Sequence, residues 1–203
     1  YGQERMHTPM KTNRLPFTTS DIVLMALLAV ANGVMTSVTS LLNKMLTAVG
    51  GPIATSTIVG LYMIYGVLAI YIIRKPGAAL VTFLIGATVQ TIVGTAYGAA
   101  SAYVAAVCYA VAVEGVFALF RYRRWDYLSV VLASLAAVPL WFIFAAYMFG
   151  YLAWGLPVLA ATLAVRCLSG IVLCGLVVKW LGDALAAAGL LKAYAAGRNR
   201  HAG

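Results

Sequence analysis

Charged side chains are scarce in this chain of 203 residues: they make up 9% of it, against roughly a quarter of an ordinary soluble domain. Histidine is absent from the apolar stretches, since His7 and His201 lie near the termini. No cluster of His, Cys, Asp and Glu has metal-ligand spacing, so we expect neither a metal site nor a cofactor. The three cysteines lie in apolar stretches, where a free thiol behaves as a small hydrophobe and indicates no disulfide framework.

Hydrophobic residues make up 64% of the sequence, too much for a soluble fold of this size to bury. This excludes a soluble enzyme and a nucleic-acid binder, and predicts an all-α membrane protein. A Walker-type phosphate loop is absent, so the chain cannot hydrolyse ATP itself. Apolar runs near the length that crosses a bilayer, about 20 residues, predict six spans at 21–42, 55–73, 78–93, 99–120, 127–149 and 157–180.

The expected organisation is an N-terminal tail over residues 1–20, a six-helix domain over 21–180 and a basic C-terminal segment over 181–203. A helix over 183–196 is too short to span and is expected to lie on the membrane surface. Twelve of the 14 Lys and Arg residues fall in the tails and in the turns after spans two, four and six. By the positive-inside rule both termini are cytoplasmic, as in a multi-pass protein of a bacterial plasma membrane.

Three short connections then face outward, at 43–54, 94–98 and 150–156, and Lys44 is their only cation. The remaining cation, Arg166, lies within span six, and Glu114 lies within span four. Charged residues in a bilayer are costly and usually have a partner in the bundle interior. We expect an ion pair between these two side chains; the alternative is that Arg166 forms the floor of a ligand site or part of a gate.

Polar and aromatic residues collect at the predicted outer ends of the spans. Aromatic walls with a few polar groups are typical of a small-molecule site; the alternatives are an interfacial aromatic belt for Tyr and Trp and, for Gln90, a helix–helix hydrogen bond. Gln90 is the strongest candidate because an amide inside a bundle needs partners. The candidate ligand-binding residues are Asn32, Gln90, Tyr97, Tyr103, Tyr147, Tyr151, Trp154 and Arg166.

Small residues mark one face of span one, at Ala26, Ala29 and Gly33. The spacing of Ala29 and Gly33 is the small-xxx-small pattern of close helix contacts. Such a face serves internal packing or docks a partner membrane protein.

Several segments resemble the YkoE family, the substrate-binding S components of energy-coupling-factor (ECF) vitamin transporters. The resemblance covers about residues 21–197, and the Arg-Lys-Pro-Gly-Ala-Ala turn is its most specific part. The segments that carry it are Gly51-Pro52-Ile53-Ala54, the turn at 73–80, Glu114-Gly115-Val116-Phe117, Gly150-Tyr151, Arg166-Cys167-Leu168-Ser169-Gly170 and Asp183.

The resemblance implies six spans with both ends inside and a thiamine or hydroxymethylpyrimidine (HMP) ligand. It also implies two kinds of partner, a transmembrane coupling protein and cytoplasmic ATPases. The family pattern has acidic residues on spans three and five, where this chain has Phe83, Gln90 and Ala145. Because a cationic ligand favours carboxylates, a neutral pyrimidine fits this sequence better than thiamine.

Two other functions compete with an S component. A self-sufficient secondary transporter of a small aromatic nutrient would favour inverted repeats and intramembrane titratable groups. The sequence shows no clear repeat and a single intramembrane carboxylate, Glu114. An intramembrane enzyme would need a His near a Ser, or clustered Asp, and neither pattern occurs in the spans, so we expect no enzymatic activity.

Overall fold

The computed structural model describes residues 17–198 as an all-helical bundle. Residues 1–16 and 199–203, with His7 and His201, lie outside the described part. Four helical stretches are long and apolar enough to cross a bilayer: Thr19–Ser56, Ala99–Leu119, Tyr127–Met148 and Leu156–Ala187. The elements are α1 (Thr19–Ser56), a 3-10 turn (Val59–Tyr62), α2 (Ile64–Ile73), α3 (Ala78–Val93), α4 (Ala99–Leu119), α5 (Tyr127–Met148), a 3-10 turn (Tyr151–Trp154), α6 (Leu156–Ser169), a π segment (Gly170–Leu176), α7 (Val177–Ala187) and α8 (Ala195–Arg198).

The successive helices place all of the basic turns at one end of the bundle. We call this the basic end, defined by Arg74, Lys75, Arg121, Arg123 and Arg124. We call the other end the pocket end, defined by residues 43–56, 94–98 and 149–155. Lys75 joins the turn after α2 to the start of α1 through a 2.5 Å contact with Asp21.

Helix α1 is far longer than the predicted span over 21–42. It begins at a capping box between Thr18 and Asp21. Because Asn43, Lys44 and Thr47 do not break a helix, it continues to a kink at Gly51, whose φ of 63° and ψ of −157° favour glycine. The predicted connection over 43–54 is therefore helical on both sides of this kink.

The second predicted span, over 55–73, is not one helix. It is the end of α1, the 3-10 turn at Val59–Tyr62 and α2 in succession. Ser169 forms hydrogen bonds with the backbone at the break. Its hydroxyl donates to the carbonyl of Thr57 at 2.7 Å and accepts from the amide of Gly60 at 3.0 Å. A broken helix in a membrane requires such partners, because its freed backbone groups have no water to bind.

Helices α3, α4 and α5 match the predicted spans to within a residue. Their ends coincide with residues that favour a chain reversal. Gly94 (φ 103°) ends α3, and Gly98 (φ 83°) precedes α4. Asp126 accepts a hydrogen bond from the amide of Ser129 and caps α5.

The sixth predicted span lies within a helical stretch that runs without a break from Leu156 to Ala187, so the predicted separate helix over 183–196 does not form. Gly182 packs on Tyr71, because a Cβ there would lie 2.4 Å from the ring. The following segment packs on the bundle rather than lying apart from it, since Leu191 and Ala196 are buried.

The predicted ion pair between Glu114 and Arg166 is not formed. Glu114 accepts hydrogen bonds from the amide of Ala79 at 3.0 Å and from the Tyr122 hydroxyl at 2.7 Å, near the basic end. It thereby binds the amino end of α3, where backbone N–H groups favour a negative charge. Burial and the neighbouring carboxylate of Glu114 raise the pKa of the Tyr122 hydroxyl, which lies in the turn outside the spans.

The small-residue face of α1 is used within the chain. Ala29 is completely buried, and Ala26 is half-buried beside it. A Cβ on Gly33 would lie 2.6 Å from the Cβ of Val89, so this face packs closely on α3. Ala29 and Gly33 therefore serve internal packing, the first of the two alternatives, and docking of a partner through Ala26 stays a prediction.

Candidate functional site

A cavity of about 220 Å³ opens among the helices at the pocket end. Its volume far exceeds the roughly 10–15 Å³ that one water molecule requires. Residues of α1, α3, α4 and α5, the two 3-10 turns and α6 line it. The lining residues are Asn32, Thr36, Asn43, Thr47, Pro52, Thr55, Val59, Tyr62, Phe83, Ala87, Gln90, Tyr97, Ser101, Ala102, Ala105, Ala106, Tyr109, Trp141, Phe149, Tyr151, Trp154 and Arg166.

Six of the eight predicted ligand-binding residues line this cavity: Asn32, Gln90, Tyr97, Tyr151, Trp154 and Arg166. Tyr103 and Tyr147 do not. Tyr147 lies about 200° around α5 from the buried Ala145 and is 74% exposed on the outside of the bundle. The Tyr103 hydroxyl is 3.1 Å from the Thr88 hydroxyl in an exposed contact between α3 and α4.

Aromatic rings form two groups around the cavity. In one, Tyr151 stacks on Trp154 with centroids 4.0 Å apart and planes 22° apart. Phe149 connects this pair to Tyr97 through centroid distances of 5.8 and 5.5 Å. Because these rings come from loops at the pocket end, they form a wall beside the mouth of the cavity.

The second aromatic group lies deeper and consists of Phe83, Tyr109 and Trp141. Tyr109 contacts both other rings, at 5.7 Å from Phe83 and 6.2 Å from Trp141. Phe83 reaches this position because Gly66 leaves room: a Cβ on Gly66 would lie 2.3 Å from the Phe83 ring. The cavity therefore has flat apolar surfaces at its mouth and at its floor.

Within residues 17–198, two buried amide oxygens that line the cavity have no hydrogen-bond partner: Asn32 Oδ1 and Asn43 Oδ1. Buried polar groups without partners are costly and rare, so they mark places where a ligand can bind. The two amide oxygens are acceptors, which suit N–H donors of a ligand. A Cβ on Gly86 would lie 2.6 Å from Asn32 Nδ2, so α3 holds this amide in place.

Gln90 and Arg166 complete the polar lining. Gln90 lines the cavity, and its Nε2 donates to the Thr95 hydroxyl at 3.1 Å. Arg166 Nε donates to the Ser56 hydroxyl at 3.1 Å. Its guanidinium carbon lies 5.0 Å from the centroid of Phe142 and 5.3 Å from that of Tyr151.

Several lining residues were not predicted from the sequence. Tyr62 and Tyr109 are hydroxyl-bearing residues within apolar runs, and that contrast is a usable signal. Asn43 was assigned to a connection, and it lines the cavity because α1 continues through it. Trp141 has no such signal, since an indole in an apolar helix is equally suited to lipid contact.

Among the described residues, no group of three or more His, Cys, Asp or Glu side chains is placed to hold a metal ion. The lining is instead that of an organic ligand site: flat rings, amide acceptors and one guanidinium. Such a site binds and orients a small aromatic molecule.

Three comparisons relate the chain to transport proteins. The family model for the permease component of an ABC-type cobalt transport system matches residues 20–140. The chain is 32% identical over 178 residues to YkoE of Bacillus subtilis (strain 168), named as an HMP/thiamine permease protein; the match covers 88% of this chain and 89% of the relative. A crystal structure of an S component of an ECF transporter matches with a TM-score of 0.86 and 31% identity, over 91% of this chain and 93% of that one.

Proposed function

Because this chain belongs to the YkoE-like family of S components of ECF transporters, we propose that its cavity captures an HMP-like pyrimidine outside the cell for uptake. The chain is a multi-pass membrane protein and a transporter component rather than an enzyme. The single observation that carries the ligand proposal is the aromatic cavity with two unpaired amide oxygens, Asn32 Oδ1 and Asn43 Oδ1.

The topology is six passes with both termini in the cytoplasm. The long helices supply four passes. Helix α3 supplies one more, and the broken segment from Gly51 to Ile73, second in chain order, supplies the remaining one. The basic end carries the Lys and Arg clusters and therefore faces the cytoplasm. The cavity lies at the other end and opens toward the outer solution.

A pyrimidine ring fits both the aromatic and the polar parts of the cavity lining. Its faces stack on the aromatic walls, where offset contacts between rings add to apolar burial. An exocyclic amino group supplies an N–H donor to the unpaired oxygen of Asn32, which restores the hydrogen bond that this atom lacks.

The charge of the cavity favours HMP over thiamine. No carboxylate lines the cavity among the described residues, whereas Arg166 does. The thiazolium ring of thiamine carries a positive charge that would lie in a positively charged cavity of low dielectric. HMP has the same pyrimidine without this charge.

Energy for uptake comes from partner subunits. An ECF transporter S component works with a substrate and an ECF module. The partners are a transmembrane coupling protein and cytoplasmic ATPases, which drive release on the inner side. The absence of a Walker loop from this sequence agrees with a role in ligand binding, with ATP hydrolysis carried out by the partner subunits.

The test is a titration of the purified chain with HMP and with thiamine, followed by tryptophan fluorescence, since Trp141 and Trp154 line the cavity. We expect saturable HMP binding that Asn32→Leu weakens about tenfold, as the loss of one buried hydrogen bond does. Asn13→Leu, in the N-terminal tail, is the matched control. Much tighter binding of thiamine than of HMP would contradict the charge argument. Binding of neither molecule would contradict the proposal that the ligand is a pyrimidine of this kind.

A transport assay separates an S component from a secondary transporter. The chain alone, reconstituted in liposomes, should bind HMP without accumulating it under an ion gradient. Accumulation by the chain alone would show that it needs no ATPase partner.

A further inference from the structure

The charges around the cavity are unbalanced. Arg166 is the only ionised side chain that lines it within residues 17–198. The carboxylates of the described chain are engaged elsewhere: Asp21 binds Lys75, Glu114 binds Ala79 and Tyr122, Asp126 caps α5, and Asp183 binds Tyr71 and Lys179. No described acidic residue is therefore placed to neutralise this guanidinium.

Arg166 is only 5% exposed, yet most of its donors are free. A guanidinium has five N–H donors, and the Nε–H bond to Ser56 uses one of them. The two Nη groups make no hydrogen bond within residues 17–198. Phe142 and Tyr151 lie beside the guanidinium carbon and hold it against the lining of the cavity.

The protein compensates this charge only in part. Taking an ion out of water costs more than cation–π contacts and one hydrogen bond to a neutral hydroxyl return. The planar fork of two Nη groups matches the paired oxygens of a carboxylate or phosphate. An anionic group in the cavity would supply both the missing charge and the missing acceptors.

We propose that the ligand captured in this cavity carries an anionic group, a carboxylate or a phosphate ester, which the Nη fork of Arg166 binds. The ring of the ligand then lies between the aromatic walls, with its donor toward Asn32. This inference rests on the proposed function, because it assigns the substrate class of the same site. It extends that function from a neutral pyrimidine to an acidic derivative.

The experiment compares ring-matched pairs on the purified chain in lipid nanodiscs. The pairs are HMP and its phosphate ester, nicotinamide and nicotinate, and benzamide and benzoate. Because a bidentate charged contact is much stronger than a neutral one, we expect the anion of a binding pair to bind about tenfold more tightly or better. The phosphate ester should also bind more tightly at pH 8 than at pH 5, since its second pKa is about 6.

Arg166→Met should remove the preference for the anion over its neutral partner. Lys44→Gln is the matched control, since it removes one positive charge from an exposed position at the same end of the bundle. It should leave the preference intact. The comparison of pairs in the unsubstituted protein needs no variant, so it tests the proposal even where Arg166→Met fails to fold.

The outcomes separate this inference from the proposed function. Tight HMP binding with no gain for any anion overturns the anionic class and leaves the pyrimidine role standing. Anion preference in the nicotinate or benzoate pair without binding of either pyrimidine supports the role of Arg166 and overturns HMP. An anion preference that survives in a folded Arg166→Met protein overturns the assignment, as does the absence of binding in all pairs.

Discussion

The hydroxyl of Ser169 connects two passes of the bundle, because it bonds to both Thr57 and Gly60 at the break between α1 and α2. We expect Ser169→Ala to lower the free energy of unfolding by about 1–3 kcal/mol, since it leaves two backbone groups unpaired away from water. Thermal unfolding in detergent measures the effect.

Ser134→Ala is the matched control for this substitution. Ser134 is also buried; its hydroxyl donates to the carbonyl of Val130 within its own helix at 3.0 Å and contacts the Cys174 thiol. That carbonyl keeps its helical hydrogen bond when the hydroxyl is removed. Equal losses for the two variants would contradict the role given to Ser169.

Glu114 should couple energetically to Tyr122 and not to Arg166. A double-mutant cycle with Glu114→Gln and Tyr122→Phe is expected to give an interaction energy of about 0.5–3 kcal/mol, because the two side chains share a hydrogen bond. The same cycle with Arg166→Met should give a value near zero. A large interaction energy between Glu114 and Arg166 would show that these two side chains form an ion pair after all.

Single polar residues within apolar spans could be recognised from the sequence, but their partners could not. Gln90 and Arg166 are identifiable because an amide or a guanidinium within a bilayer is costly unless it has a polar partner or a ligand. Residue counting along a helix gives the depth of Glu114 and Arg166 but not the direction in which each side chain points. The prediction of an ion pair was wrong because the directions of the two side chains could not be deduced from the sequence.

Among the elements, the helices that begin and end at strong breakers were predictable. Gly94, Gly98 and the basic turns delimit α3, α4 and α5. The first, second and sixth passes differ because their limits depend on tertiary contacts. The break near Gly60 is held by Ser169, and the extension through Gly182 is held by packing on Tyr71.

Ala29→Trp should prevent folding rather than block a partner. Ala29 is fully buried between α1 and α3, so an indole there would separate the two helices. Val30→Trp is the matched control, because Val30 is 49% exposed on the same helix. We expect Val30→Trp to elute from size-exclusion chromatography as the unsubstituted protein does, and Ala29→Trp to aggregate. A folded Ala29→Trp protein would show that this face is free.

For the whole molecule, the orientation is testable with single cysteines in a background without Cys108, Cys167 and Cys174. Lys44→Cys and Arg123→Cys place exposed thiols at opposite ends of the bundle. A membrane-impermeant maleimide added to intact cells should label Lys44→Cys alone, and permeabilised cells should label both. Labelling of Arg123→Cys in intact cells would show that the basic end faces outward and would contradict the proposed topology.

The buried position of Arg166 gives the proposed anionic ligand a voltage-dependent affinity. Moving one elementary charge across the whole membrane field changes the energy by about 2.3 kcal/mol per 100 mV. A neutral ligand that enters the cavity moves no charge through this field, and its affinity is the same at every membrane potential. An anion that travels from outside to Arg166 crosses part of the field against an inside-negative potential. Its capture is therefore weakest in the most strongly energised cells.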